Sequence, residues 1–402
     1  PGVDFGATPA TLTFTAENRR QTFRVHALRD ALPESDETFR IQVGNAEVTA
    51  RILDNLRPGS LSPVAAPNGT VISLKALPSG GVMLGGDFTQ VGGVARTAVA
   101  RLSSDGRVDP SFTPPSLVNS RVQSAGVPPA KVLFTTSLAS GDWLVGGTIG
   151  LADGVPVRNL VRLKSDGRLD TSFSHPGFDG NVWTIVEQPD GRLLVGGTFD
   201  HVGGQNLRAL VRLNADGTLD PSFKLEPGAE GTVVSGAAIG LLPDGKILVG
   251  GTLEKYNGQA VRHLVRLHAD GSVDESFPLL KAGASTPLIC MAVLPGGRVY
   301  LGGFFETIGG RPIKRLVRLQ PDGTIDLTFK APQPNAEVLD LRPLPNGQVL
   351  VAGAFTVITG ANRRFVALLN EDGTVDESFD LGRGAGDHVW AVAAGGDGSL
   401  YL

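Results

Sequence analysis

Cysteine is almost absent from this 402-residue chain: Cys290 stands alone, which excludes an internal disulfide. It lies in the apolar run TPLICMAVL, with no histidine or cation near it in sequence, and reads as a buried packing thiol, not a reactive one. Long apolar runs are missing as well, since none reaches the roughly 18 residues that span a bilayer. Basic blocks are missing too. The net charge of −4 is spread along the chain, which excludes a phosphate-tracking surface and nucleic acid as a partner. The histidines His26, His175, His201, His263, His268 and His388 neither repeat nor show metal spacing. GxSxG, HExxH and paired CxxC motifs are all lacking. No secretory signal is visible. The chain opens at Pro1 inside a strand-rich segment and stops at Leu402 inside a repeat, so it reads as a fragment, and the lack of a signal says nothing about compartment.

What the chain does have is repetition. VRLNADGTLDPSF, ending at Phe223, recurs as VARLSSDGRVDPSF ending at Phe112, VRLKSDGRLDTSF at Phe173, VRLHADGSVDESF at Phe277, VRLQPDGTIDLTF at Phe329 and ALLNEDGTVDESF at Phe379. Successive terminal phenylalanines stand 61, 50, 54, 52 and 50 residues apart. A period of this size marks a solenoid, a propeller or an array. The 54 glycines and 27 prolines recur at the same places in each copy, so they mark tight turns and not low complexity.

One unit runs from Asn181 to Phe223. NVWTIVEQ is a β-rich run, Pro189-Asp190-Gly191 a turn, and RLLVGGTF a second apolar run. The polar loop DHVGGQN follows, then alternating ALVRLN, a turn at Asp216-Gly217, and TLDPSF. Asp-Gly between alternating runs is a strong hairpin signal, because glycine takes the positive φ of a primed turn. The first turn recurs at Gly80, Gly141, Gly245, Gly297, Gly347 and Gly398. Helical periodicity is nowhere apparent. Four short antiparallel strands per unit, repeated, predict an all-β protein built as a β-propeller. Six complete repeats and a first hairpin at 388–402 indicate seven blades, with eight as the alternative. Val71, Val182, Val233, Val338 and Val389 are expected at equivalent strand positions.

The LPDGKILVGGTF…RLVRLNADGTLDPSF pattern resembles the delta-60 repeat, a bacterial β-propeller family, over residues 70–402. The resemblance implies a propeller on a secreted or cell-surface bacterial protein and no established activity. Residues 1–56 have another rhythm. GVDF at 2–5, the TLTF strand, ALRDALPESDETF at 27–39 and ILDN at 52–55 resemble the C-terminal part of a Calx-β domain, an immunoglobulin-like sandwich. The Pro-, Gly- and Ser-bearing stretch 57–69 reads as the linker. Calx-β domains include calcium binders, and that resemblance places Asp4, Asp30, Glu34 and Asp54 where family acids hold the ion, with Asn55 beside them. Arg29, Ala31 and Leu56 occupy positions that are acidic in the calcium-binding members, and the opening strands of the family are absent. Calcium wants six to eight oxygens, so the expectation for residues 1–402 is binding no tighter than about millimolar.

Other motifs dissolve on inspection. Asn214-Ala215-Asp216-Gly217 lacks the acid and the terminal glutamate of an EF-hand, and Lys164 stands at the place of Asn214 in another copy. GLLPDGKI spells GxxxxGK but has Ile247 where magnesium needs Ser or Thr, and it sits in a hairpin. The glycines of GRGAGD have no strand-to-helix context. Arg101, Arg162, Arg212, Arg266 and Arg318 recur, each followed eight residues later by an acid: Asp109, Asp170, Asp220, Asp274 and Asp326. A structural ion pair in each blade is one reading, and a ring of arginines binding an anion in the channel is the other. The sixth copy breaks the pattern with Leu368.

Residues shared by every copy hold a repeat together, so a site is to be sought where copies differ. The long stretch TPPSLVNSRVQSAGVPPA after Phe112 differs, as do the loops at Thr89-Gln90, Asp200-His201, Glu254-Lys255-Tyr256 and Glu306-Thr307. Two functions stay open. One is a non-catalytic surface module for adhesion, taking a glycan or protein ligand through loops on one propeller face. The other is a secreted hydrolase or lyase acting on polysaccharide at the channel mouth. Paired acids from non-equivalent blades in the channel would favour the second, and uniform acids at hairpin turns the first.

Overall fold

The computed structural model describes residues 66–402 apart from 79, 120–129, 175, 226–227, 234–237, 380–384 and 395–399, and of residues 1–65 only the course of four strands. The chain divides into two compact units, Pro1–Ser60 and Leu61–Leu402. Every regular element described is a β-strand, and no described helix is long and apolar enough to cross a membrane. In the first unit, Phe5–Gly6 pairs with His26–Ala27, and Glu37–Val43 pairs antiparallel with Ala46–Ile52 from Glu37 opposite Ile52 to Val43 opposite Ala46. The expected calcium ligands Asp4, Asp30, Glu34 and Asp54 lie outside the described residues.

The second unit is the propeller. Its third repeat shows the plan: an inner strand Val182–Glu187, a middle strand Leu193–Gly197 and an outer strand Leu210–Leu213, hydrogen-bonded in that order. The corresponding inner strands are Val71–Ala76, Lys131–Ser137, Ile239–Leu241, Leu288–Val293 and Val338–Pro343. Middle strands such as LLVGG are buried at every position, because each sheet is covered on both faces by its neighbours. The loop after the middle strand makes a miniature hairpin in the first, second, third, fourth and sixth repeats, His201–Val202 with Gln205–Asn206 in the third.

The fourth run departs from expectation. TLDPSF contributes a single bridge, Leu219 to Leu213, so the sheets are three-stranded. The reason is local. The Asp220 Oδ1 accepts the Ser222 N–H at 2.9 Å and its hydroxyl at 2.7 Å, an Asx turn that bends the backbone out of the ladder.

The C-terminal segment closes the ring. Val389 and Val392 share a core cluster with Leu350, Ala352 and Val366 of the sixth repeat. Ala391 and Ala393 share another with Leu74, Leu84 and Ala100 of the first. Ala393–Ala394 then pairs with Leu400–Tyr401. Val71, Val182 and Val338 open their inner strands as expected, each opposite a glycine at a β-bulge. Val233 and Val389 lie outside regular strands, yet their N–H groups reach Gly197 O at 3.1 Å and Gly353 O at 3.2 Å on the preceding repeat.

Candidate functional site

The recurring arginines do not form a ring in the channel. They stand on the outer strands, and each Nε donates to the acid eight residues on: 2.8 Å for Arg101–Asp109, 2.6 Å for Arg162–Asp170, and 2.7 Å for Arg212–Asp220, Arg266–Asp274 and Arg318–Asp326. Each Nη1 donates to a carbonyl in the following repeat's turn: Ser165, Ala215, Ala269, Asp322 or Glu371. The guanidinium also lies 4.6–4.9 Å over the terminal phenylalanine of its own repeat, from Phe112 to Phe329. That ring packs on the next Asp-Gly turn: a Cβ on Gly217, whose φ is +89°, would lie 2.8 Å from Phe173. Arginine, acid and phenylalanine thus form a staple between successive sheets.

These acids titrate with the fold. Burial alone would raise the Asp220 carboxyl, but hydrogen bonds from Ser222, Arg192 and Arg212 outweigh it and hold it well below the usual carboxylate range. Asp109, Asp170, Asp274 and Asp326 are lowered in the same way. A carboxyl lowered in the folded state stabilises fully above the unfolded value near pH 4, and the stabilisation disappears as pH falls through the folded value. Acid unfolding is therefore expected to begin below about pH 4, with a steep transition as several acids protonate. Circular dichroism against pH checks this, and loss of β-structure already at pH 5–6 would contradict it.

The variable loops are occupied with their own contacts. Thr89 Oγ1 accepts from Asn68 Nδ2 at 2.8 Å, His201 Nδ1 lies 2.8 Å from Asp179, Lys255 Nζ lies 2.9 Å from Glu230, and Glu306 pairs with Lys314 and Arg315. Tyr256 is fully buried, its hydroxyl donating to Gly271 O. The stretch after Phe112 contributes the strand Leu117–Val118, paired with Leu151–Ala152, before it passes outside the described residues. Cys290 is buried, 3.7 Å from Val338 O, and burial pushes its thiol well up.

The inner strands surround a central cavity of about 540 Å³. Comparison of the copies across this surface finds what the motifs did not. The cavity-lining residue that follows Val71, Val132, Leu288 or Val338 is Ile72, Leu133, Ile289 or Leu339, but Trp183 and Trp390 follow the equivalent Val182 and Val389. Three residues further on, the register places Lys75, Thr136, Val186, Gly240, Ala292 and Arg342 in equivalent positions, so the first and sixth repeats alone carry cations there. Trp390 lies on the segment packed between those two repeats and is 54% exposed. Lys75, Trp390 and Arg342 therefore occupy one sector of the channel wall.

The acids in the channel are Asp340 and Glu187. Asp340 Oδ1 accepts the Leu341 N–H at 2.8 Å, and Oδ2 accepts the Val392 N–H at 2.9 Å with Arg342 Nη2 at 3.4 Å. Burial raises its pKa against the lowering effect of Arg342. Glu187 Oε2 accepts the Ala139 N–H at 2.7 Å. Arg342 Nε donates to Val392 O at 2.8 Å, while the Lys75 side chain has no hydrogen bond or ion pair among the described residues. Among the described residues no three His, Cys, Asp or Glu side chains converge to hold a metal ion. Neither Lys75 nor Arg342, nor either tryptophan, emerged from motif reading. Alignment of the copies along the inner strand carries the signal.

A family model described as "Domain of unknown function (DUF5122) beta-propeller" matches the chain at residues 77–112, 138–173, 188–223, 242–277, 294–329 and 344–379. No curated protein matches it. Among solved structures, the WD40 β-propeller domain of Doa1 superposes with a TM-score of 0.50 at 14% identity, over 83% of this chain and 90% of that one. The extracellular domain of a hybrid two-component system, BT3049 of B. thetaiotaomicron, superposes at 0.51 with 10% identity, over 85% of this chain. The match spans 40% of that protein chain. At such identities the shared property is the propeller fold.

Proposed function

This chain belongs to the DUF5122 β-propeller family, and from that premise we propose that it is a non-catalytic recognition module of a secreted or surface-exposed bacterial protein, taking its ligand at the central channel. The observation that carries the reading is the pair of tryptophans, Trp183 and Trp390, where other copies have aliphatic residues on the channel wall. An exposed indole offers a flat apolar face with little conformational entropy to lose, which suits the ring face of a sugar. The extracellular placement of the BT3049 domain supports the proposed location as an analogy of fold. The repeated acids lie in staples, and both channel acids are engaged by backbone N–H groups, which favours binding over the hydrolase or lyase alternative.

The test is an oligosaccharide array followed by titration of tryptophan fluorescence. Trp390→Ala is expected to weaken binding about tenfold, the loss of one stacking contact of about 1.5 kcal/mol, with the unfolding midpoint unchanged because the side chain is exposed. Cleavage of a bound polysaccharide by the parent chain, abolished in Asp340→Asn, would replace this reading with the enzymatic one.

A further inference from the structure

Two cations sharing one wall of a partly enclosed channel are unfavourable for the empty protein, since each raises the cost of the other's charge. Lys75 and Arg342 stand at the same register position of the first and sixth repeats, on either side of the Trp390 segment. Arg342 has Asp340 and Val392 O as partners. The Lys75 side chain has none among the described residues, and burial, then the Arg342 charge, lowers its pKa. Fold stability gives no reason for a lysine here, because the other copies manage with Thr136, Val186, Gly240 or Ala292. Further along the wall, the buried Nε1 of Trp183 and the hydroxyl of Thr184 have no hydrogen-bond partner among the described residues.

Resting on the channel as the ligand site, we infer that the sector formed by Lys75, Trp390 and Arg342 reads an anionic group, and that the ligand is a saccharide carrying a carboxylate. Among the described residues two cations face one carboxylate in this sector, leaving a single positive charge to be met, which matches a carboxylate better than a dianionic phosphate. The indole beside them supplies the face on which the sugar ring rests.

Calorimetric titration of the full chain with D-glucuronate, D-glucose and inorganic sulfate tests this. Glucuronate is expected to bind at least tenfold tighter than glucose and sulfate, with an affinity that falls as salt rises. Lys75→Met and Lys75→Gln should each lower the glucuronate affinity about tenfold and leave weak glucose binding unchanged. Equal affinity for glucuronate and glucose, or Lys75 variants that bind as the parent does, would overturn the inference. Sulfate binding as tightly as glucuronate would overturn the saccharide part. Neutral oligosaccharides that bind through Trp390 with no preference for a carboxylate would sink this inference and leave the channel reading standing. Binding that survives Trp390→Ala and the Lys75 variants alike would remove both.

Discussion

Arg318→Ala is expected to destabilise the propeller by about 3–5 kcal/mol, the cost of leaving one partner of a buried ion pair alone. A semi-exposed pair would contribute at most about 1 kcal/mol, so the magnitude depends on burial. Arg318 is 2% and Asp326 3% exposed. The fifth repeat should also be the most sensitive. In the third and fourth repeats a second cation reaches the acid, Arg192 at 3.1 Å from Asp220 and Lys246 at 3.1 Å from Asp274. In the fifth, the equivalent Arg298 is turned to Glu371 at 2.9 Å, and Asp326 has Arg318 as its cation. Arg212→Ala should therefore cost clearly less than Arg318→Ala, although both arginines are buried. Arg318→Lys should recover little, because an ammonium cannot bond Asp326 and the Glu371 carbonyl while lying flat over Phe329. Urea unfolding followed by tryptophan fluorescence measures the series. Equal, small losses at Arg212 and Arg318 would show that the staple behaves as a surface contact.

The same staple explains what could be read in advance. Arginine, Asp-Gly turn and phenylalanine recur because they serve every junction alike, so period and hairpin chemistry sufficed to infer a propeller. The sixth copy shows the rule from its exception. With Leu368 in the arginine position, Gln348 Nε2 donates to Asp376 at 2.7 Å. Strand number was less legible. TLDPSF has a strand-like pattern, but the Asx turn at Asp220 overrides it, and side-chain capture of the backbone is invisible to a count of alternating residues. The channel site was hidden for the opposite reason. Lys75, Trp390 and Arg342 belong to no motif, and the ring closure of Ala391 against Leu74 is what brings the last segment beside the first repeat. Sequence separation conceals such a juxtaposition.

The second large effect lies in the paired glycines that end the middle strands, and it separates two positions that look alike in sequence. At the first, as at Gly146, an added Cβ would meet the Val182 Cγ1 of the next repeat at 2.7 Å. A side chain can give way, and the sixth repeat already carries Ala352 there, buried in one cluster with Val389. At the second, Gly147, the Cβ would come within 2.0 Å of the Lys131 carbonyl oxygen, and at Gly353 within 2.0 Å of Glu337 O. Backbone lies on both sides of that contact, at the bulge where Val132 opposes Gly147, so relief means breaking the inner edge of the sheet. Gly146→Ala is accordingly expected to cost about 1–2 kcal/mol and Gly147→Ala about 3 kcal/mol or more. The two variants differ from the parent by the same single methyl group and can be compared directly by thermal and urea unfolding. Should Gly147→Ala prove as mild as Gly146→Ala, the bulge would have to be soft, and the close approach of the two chains could not be the reason for glycine at that position.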